Sequence, residues 1–133
     1  MNLSELKSLA VFPKELKRLR EDIEDLQAKV ESCTAKNDGM PKGSRKVNYL
    51  QEQLIDLKTR YENKLLIREN EKARIEEELY YETEGYPLER EAIIHKYIHL
   101  RSWGQTARKL GGNNTRDSVR KMLYRFFKKK GWN

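Results

Sequence analysis

The chain has a single cysteine, Cys33, among 133 residues, so it has no internal disulfide and suits a reducing cytoplasm. No stretch approaches the roughly 20 apolar residues of a membrane-spanning helix, and no membrane partner is expected. The first residues, Met1-Asn2-Leu3-Ser4-Glu5-Leu6-Lys7, hold no apolar signal core, so no export is expected either. A glycine-rich phosphate loop, a paired-carboxylate site and an activated-nucleophile motif are all missing, which leaves an enzyme reading without support and calls for no cofactor. Glu91, His95 and His99 stand at i, i+4 and i+8, a spacing able to share a metal. With no fourth ligand near in sequence, a solvated or packing face is the better reading, and no metal is expected.

Apolar residues are also scarce. They make up 37% of the chain, charged residues another 37%, and the mean hydropathy is −0.97. Such a chain fits long exposed helices better than a compact globule, and its length allows one or two small units.

What the chain has in excess is positive charge, and at one end. Residues 85–133 hold 12 Lys and Arg against 3 Asp and Glu, whereas residues 1–84 hold 16 against 18. A pI near 9.5 points to a polyanionic partner, nucleic acid ahead of membrane.

The basic end contains a helix with two distinct faces. At about 100° per residue from Arg116, Met122, Phe126, Val119 and Leu123 fall between roughly 240° and 340°, while Arg116, Arg120, Tyr124, Asp117, Lys128 and Lys121 fall between roughly 0° and 140°. A core-facing side opposite hydrogen-bonding cations is what a DNA recognition helix needs. A solvated amphipathic helix has the same wheel, but here other signals stand in series with it. Ser102-Trp103-Gly104-Gln105 has the spacing of a capping box, so a helix should begin at Trp103. Ala107 is small enough for two helices to cross closely, Leu110 faces the core, and Gly111-Gly112 can take the positive φ that ends a helix. Thr115 can cap the next helix, with Asp117 favourable at its positive end. Short helix, turn and second helix follow in helix-turn-helix order. Trp103 reads as a packing residue rather than a base stacker, and Trp132 as a docked tail.

Toward the N-terminus, Leu3, Leu6 and Leu9 predict a short helix broken near Phe12-Pro13. Leu16, Leu19, Ile23, Leu26, Val30 and Cys33 then recur at alternating intervals of 3 and 4, a heptad seam predicting a helix over 14–34. Residues 35–46 contain Gly39, Pro41 and Gly43 and should turn the chain; their cations Lys42, Arg45 and Lys46 read as a soluble loop in preference to a second DNA contact, with a phosphate or RNA contact at this tip as the alternative. The seam resumes with Val47, Leu50, Leu54, Leu57 and Tyr61 and continues less cleanly through Leu65, Ile75 and Leu79, predicting a second helix over about 46–83. Lys64, Arg68 and Lys72 intrude on it. Glu76, Glu77, Glu78, Glu82 and Glu84 form an acidic run, read as a solvated face or as a patch that repels DNA. Gly85-Tyr86-Pro87 is a hinge, followed by a scaffold helix with Leu88, Ala92, Ile94, Tyr97 and Ile98 buried.

The run from Leu88-Glu-Arg-Glu-Ala through Leu100-Arg-Ser-Trp-Gly-Gln-Thr-Ala-Arg-Lys-Leu-Gly, followed by Thr-Arg-Asp-Ser-Val-Arg-Lys, resembles region 4 of bacterial sigma factors, the domain that reads the −35 promoter element. A leucine-rich hairpin with a Gly-Met-Pro turn ahead of such a domain is similar to small phage-encoded transcriptional regulators of Gram-positive hosts, in the autolysin-regulator and late-gene-activator families. The resemblance implies base contacts from the first two turns of the recognition helix, here Arg116, Asp117, Arg120 and Lys121. The chemistry agrees, since Arg and Lys can reach guanine and Asp can accept from cytosine N4. The Gly111–Asn114 turn is about two residues longer than the family's, Gly104 and Thr106 replace commoner helix formers, and Arg108 and Lys109 stand where an acid or aliphatic residue is frequent.

The expectation is therefore an all-α protein. Residues 1–84 form an N-terminal antiparallel coiled-coil hairpin with its turn at 35–46, and residues 85–133 a C-terminal sigma region-4-like helix-turn-helix domain. Arg116, Asp117, Arg120, Lys121 and Tyr124 are the candidate base contacts. Arg101, Ser102, Arg108, Lys109, Arg125, Lys128, Lys129 and Lys130 are the candidate phosphate contacts. Double-stranded DNA is the expected partner, with host RNA polymerase and a second copy of the chain as candidate protein partners, in the cytoplasm of a bacterial host cell. The expected function is a sequence-specific transcriptional regulator, a phage or prophage late-gene activator. The alternative is a coiled-coil adaptor that binds polymerase or a phage protein without reading DNA sequence.

Overall fold

The computed structural model describes residues 1–36 and 44–132, and the side chains of 1–33 and 47–132. The described residues are all-helical. The order is α1 (Leu3–Ser8), α2 (Val11–Lys36), α3 (Ser44–Glu82), α4 (Pro87–Ile93) running into one π-helical turn (Ile94–Ile98), α5 (Trp103–Leu110) and α6 (Arg116–Lys130). The expected turn at 35–46, with Lys42, Arg45 and Lys46, falls largely outside the described residues.

The chain separates into two compact units, residues 12–67 and residues 1–11 with 68–133. The division thus falls inside α3 rather than after Glu84, because Ile75, Leu79 and Thr83 are fully buried within the second of these units. An apolar side chain belongs to the core that covers it, wherever the sequence changes composition.

In the 12–67 unit the heptad positions are the ones withdrawn from solvent, but only shallowly. Leu16 and Leu54 are buried, while Leu19, Ile23, Leu26, Leu50, Leu57 and Tyr61 are half-buried. The helix α2 begins at Val11, so Pro13 lies inside its first turn, where a missing N–H costs no intrahelical bond. Leu65 does not continue the seam as expected and is exposed. The 3-4 rhythm after Tyr61 runs instead through Lys64, Arg68 and Glu71, all half-buried, before reaching Ile75. Lys64 is accommodated there by an ion pair with Glu15.

The other unit holds most of the core. Leu6 and Leu9 of the α1 segment, Ile75 and Leu79 of α3, Ala92, Ile93 and Ile98, Ala107, and Val119, Leu123, Phe126 and Phe127 of α6 are all buried. The scaffold helix departs from expectation. Leu88, expected to be buried, is exposed, and Ile93 beside buried Ala92 is fully buried; past them the π turn inserts one extra residue, with His99 N–H donating to the Ile94 carbonyl at 2.9 Å. One added residue rotates all that follows by about 100°, so no single α-helical face runs through Leu88, Ile94 and Ile98. Leu100, which links the turn to α5, takes φ = +54°, an uncommon conformation for a residue other than glycine. The Arg101 N–H beyond it donates to the His95 carbonyl at 3.1 Å.

Candidate nucleic-acid interface

Local hydrogen bonding fixes the two C-terminal helices. Ser102 caps α5 as its spacing predicts: its Oγ accepts from Gln105 N–H at 3.1 Å and the Gln105 Oε1 accepts from Ser102 N–H at 3.0 Å. Thr106, an unusual residue for this place, is fully buried and donates to the Ser102 carbonyl at 2.8 Å. Ala107 is buried where α5 meets α6. Gly111 and Gly112 both have positive φ, +72° and +63°, and Asn114 Nδ2 closes the turn on the Gly111 carbonyl at 2.8 Å. Thr115 then caps α6, and its partner is Ser118: Thr115 Oγ1 accepts from Ser118 N–H at 3.1 Å, and Ser118 Oγ from Thr115 N–H at 2.8 Å. Asp117 adds its charge at the positive end of the helix dipole.

The far end of α6 is tied down by Gly131 in the left-handed conformation and by Trp132 N–H donating to the Phe127 carbonyl at 2.9 Å, the 6→1 bond of a Schellman stop. Trp132 docks as expected, stacked on Phe127 at 5.7 Å and edge-on to Phe126 at 5.4 Å. Tyr86 packs edge-on to Phe126, and Tyr97 edge-on to Phe127. Burial pushes the Tyr97 phenol up from its ordinary pKa. An aromatic bed thus holds α6 at a fixed rotation.

That rotation differs from the one read off the wheel. Phe127 lies at roughly 20° on the same wheel and is buried, which moves the centre of the buried arc to roughly 330° and the outward pole to roughly 150°. Lys121, Arg125 and Lys128 lie nearest that pole and are exposed. Asp117 and Tyr124 flank them, Tyr124 being 69% exposed. Arg120 is exposed too, but at the edge of the arc, its guanidinium carbon 6.0 Å from the centre of the Trp103 ring. On the opposite flank Ser118, Met122, Arg125 and Lys129 border an open groove of about 330 Å³ shared with Tyr86 and Glu89.

The candidate base and phosphate contacts divide into those without an ion pair and those engaged elsewhere. Among the described residues, no ion pair within 4 Å involves Arg108, Lys109, Arg116, Arg120, Lys121, Arg125 or Lys128. Ser102 is exposed at the start of α5. Lys130 lies 3.9 Å from Glu82, and a hydrogen bond with the Tyr86 hydroxyl holds the Lys129 ammonium above its ordinary pKa. Arg101 is half-buried and directs its guanidinium to His95 Nδ1. Burial, then the Arg101 charge, pushes the His95 imidazole below its ordinary pKa. A neutral imidazole with Nδ1 as acceptor suits that bond. Glu91 is 3.6 Å from His95 Nε2, and His95 and His99 are 6.1 Å apart between ring centres. Among the described residues no three His, Cys, Asp or Glu side chains are grouped to hold a metal ion, and no helix is long and apolar enough to cross a membrane.

Three features escaped sequence reasoning. Phe127 was indistinguishable from a solvent-side aromatic until the tail docked on it. Ser118 as the reciprocal cap has the right spacing from Thr115 but is not the usual Glu or Gln. Lys96 Nζ, 5.0 Å from the Trp103 ring centre, is brought there by the π turn, which leaves no periodicity to read. No family model, curated protein or solved structure matches the chain.

Proposed function

We propose that this protein is a non-enzymatic, sequence-specific DNA-binding transcriptional regulator. In this reading α5 and α6 are a helix-turn-helix built like sigma region 4, and α6 is the recognition helix in the major groove. The observation that carries it is the unpaired cationic surface: Arg116, Arg120, Lys121, Arg125 and Lys128 on one helix, with Arg108 and Lys109 on its neighbour, all without an ion-pair partner among the described residues. Ordinary solvated helices interleave acids with their bases; elsewhere in this unit Arg74 has Glu71 at 2.6 Å and Glu78 at 3.1 Å. Leaving seven cations unneutralised favours a polyanion, and capping at both ends makes the helix rigid enough to enter a groove. Lys121, Arg125 and Tyr124, near the outward pole, join Arg116, Asp117 and Arg120 as groups facing the bases or the adjoining backbone.

The N-terminal helices α2 and α3 are read as an antiparallel coiled-coil hairpin. The pairing of Glu15 with Lys64 supports it, since the two residues lie at similar distances before and after 35–46. The whole is read as a phage or prophage late-gene activator acting in the bacterial cytoplasm, with host RNA polymerase or a second copy of the chain on the hairpin. A second reading, a coiled-coil adaptor without sequence-specific DNA binding, draws on one observation. Ile55, Leu66 and Ile67 are each more than half exposed in a unit whose described buried apolar residues are Leu16 and Leu54, and such a unit gains from a covering partner.

Capture from a random duplex pool at near-physiological salt tests the choice. Enrichment of one short site, lost steeply as salt rises, supports the regulator. Uniform retention, or none, moves the function to the adaptor.

A further inference from the structure

Resting on the reading of α6 as a recognition helix, we infer that Trp103 is a positioning residue that fixes Arg120 for base recognition and so sets specificity at one base pair. Lys129 and Lys130 lie over the Tyr86 ring on the other side of α6; among the candidate base contacts Arg116, Arg120 and Lys121, Arg120 alone has a ring partner among the described residues. It lies at the edge of the exposed arc nearest α5, and its guanidinium is over the Trp103 ring. At 6.0 Å from the ring centre the guanidinium is within range of an electrostatic attraction that uses up none of its hydrogen-bond donors. Its in-plane N–H donors stay free for the O6 and N7 of a guanine.

Trp103 is itself held from two sides. As the first residue of α5 it lies inside the Ser102–Gln105 capping box, and its ring meets Tyr97 edge-on at 6.4 Å and 89°. Tyr97 in turn packs edge-on against buried Phe127 at 6.0 Å. A continuous line of rings therefore runs from the core to a side chain on the DNA-facing edge. Lys96 approaches the same indole at 5.0 Å, so the ring attracts cations from two different elements. An arginine ordered before DNA arrives loses less freedom on binding than one that samples all its rotamers. Arg116, Lys121 and Arg125 have no such ring partner among the described contacts.

The test starts from a site selected by the wild-type chain out of a random duplex pool. Arg120→Ala, an exposed substitution, identifies the base pair whose preference flattens. Trp103→Leu should then flatten that same position, by about tenfold in discrimination, and leave the others unchanged. In an Arg120→Ala background Trp103→Leu should cost nothing more, and Trp103→Tyr should retain most of the preference. Thermal melting of each variant separates this from loss of fold, and Trp103→Tyr carries the test alone if Trp103→Leu does not fold: with the indole essential only to packing, its effect would spread over every position. Equal losses at all positions, or additive losses in the double variant, overturn the inference while DNA reading stands. Failure of the wild-type chain to select any site overturns DNA reading itself, before any variant is compared.

Discussion

Arg90 Nε donates to Thr83 Oγ1 at 2.8 Å, joining α4 to the end of α3 across the Gly85-Tyr86-Pro87 hinge. Thr83 is fully buried, and its hydroxyl donates in turn to the Leu79 carbonyl at 2.6 Å. Arg90 Nη2 reaches the Tyr80 and Thr83 carbonyls at 3.2 Å each, and the guanidinium lies over the Tyr80 ring at 4.3 Å. The last turn of α3 contains no basic residue of its own. Arg90 supplies the missing cation from the next helix, giving the Tyr80 carbonyl a donor and adding a second to the Thr83 carbonyl, which also accepts from Tyr86 N–H at 2.9 Å.

Thr83→Val keeps the shape of the side chain and removes both roles of the hydroxyl, leaving Arg90 Nε short of an acceptor. The variant should lose about 1–3 kcal/mol of stability. Urea unfolding checks this through the midpoint, and an unchanged midpoint would show that the hydroxyl contributes nothing net.

The rotation of α6 makes opposite claims about two neighbouring aromatic positions. Phe127→Ala should cost about 3–5 kcal/mol because it empties a place between Tyr97 and Trp132. Tyr124→Ala should change stability by no more than about 0.5 kcal/mol and act on DNA binding alone. Chemical denaturation of both variants, with DNA titration of the second, decides whether the face is assigned correctly.

Local chemistry made the C-terminal helices legible: Ser102 with Gln105, Thr115, and the Gly111-Gly112 stop each act within four residues of where they stand. Features that depend on another element were not legible. Leu65 continues an apolar pattern yet faces solvent, because the described core side of α3 there is shared by Lys64, Arg68 and Glu71, and an ion pair with Glu15 satisfies the first of them. Leu88 is exposed although the expected face ran through it, and the π turn shifts the register between the start of that face and Ile98, in two stretches that each look α-helical. The candidate cations were all readable as cations, but Arg101 could not be told from a free one without seeing His95 beside it.

His95 gives the fold a pH dependence with a definite sign. Its pKa lies below the ordinary value of about 6.5 because burial and the Arg101 charge oppose the imidazolium. The folded state therefore binds fewer protons than the unfolded state in that range. Stability from this group is fully present above the ordinary value and is lost as pH falls through the lowered one. The melting temperature should drop on acidification from pH 7 toward pH 5, and His95→Gln should flatten the drop. An equal drop in the variant would assign it to carboxylates instead.

Two arginine and lysine positions that look alike in sequence should behave differently toward DNA. Lys128 is exposed, near the outward pole of α6 and without an ion-pair partner among the described residues. Each phosphate it neutralises releases condensed counterions, so Lys128→Ala should lower the slope of log affinity against log salt by about 1, with no change in which sequence is preferred. Arg101 is half-buried and directs its guanidinium to His95 Nδ1, away from the role of phosphate contact that its charge and place before α5 imply. Arg101→Ala should leave the salt slope where it is and instead raise the His95 pKa toward its ordinary value, since the neighbouring positive charge is removed. Binding isotherms at several salt concentrations measure the first effect, and NMR titration of the His95 ring measures the second. A salt slope that falls equally in both variants would mean that Arg101 swings outward to meet the backbone, at the expense of its bond to His95.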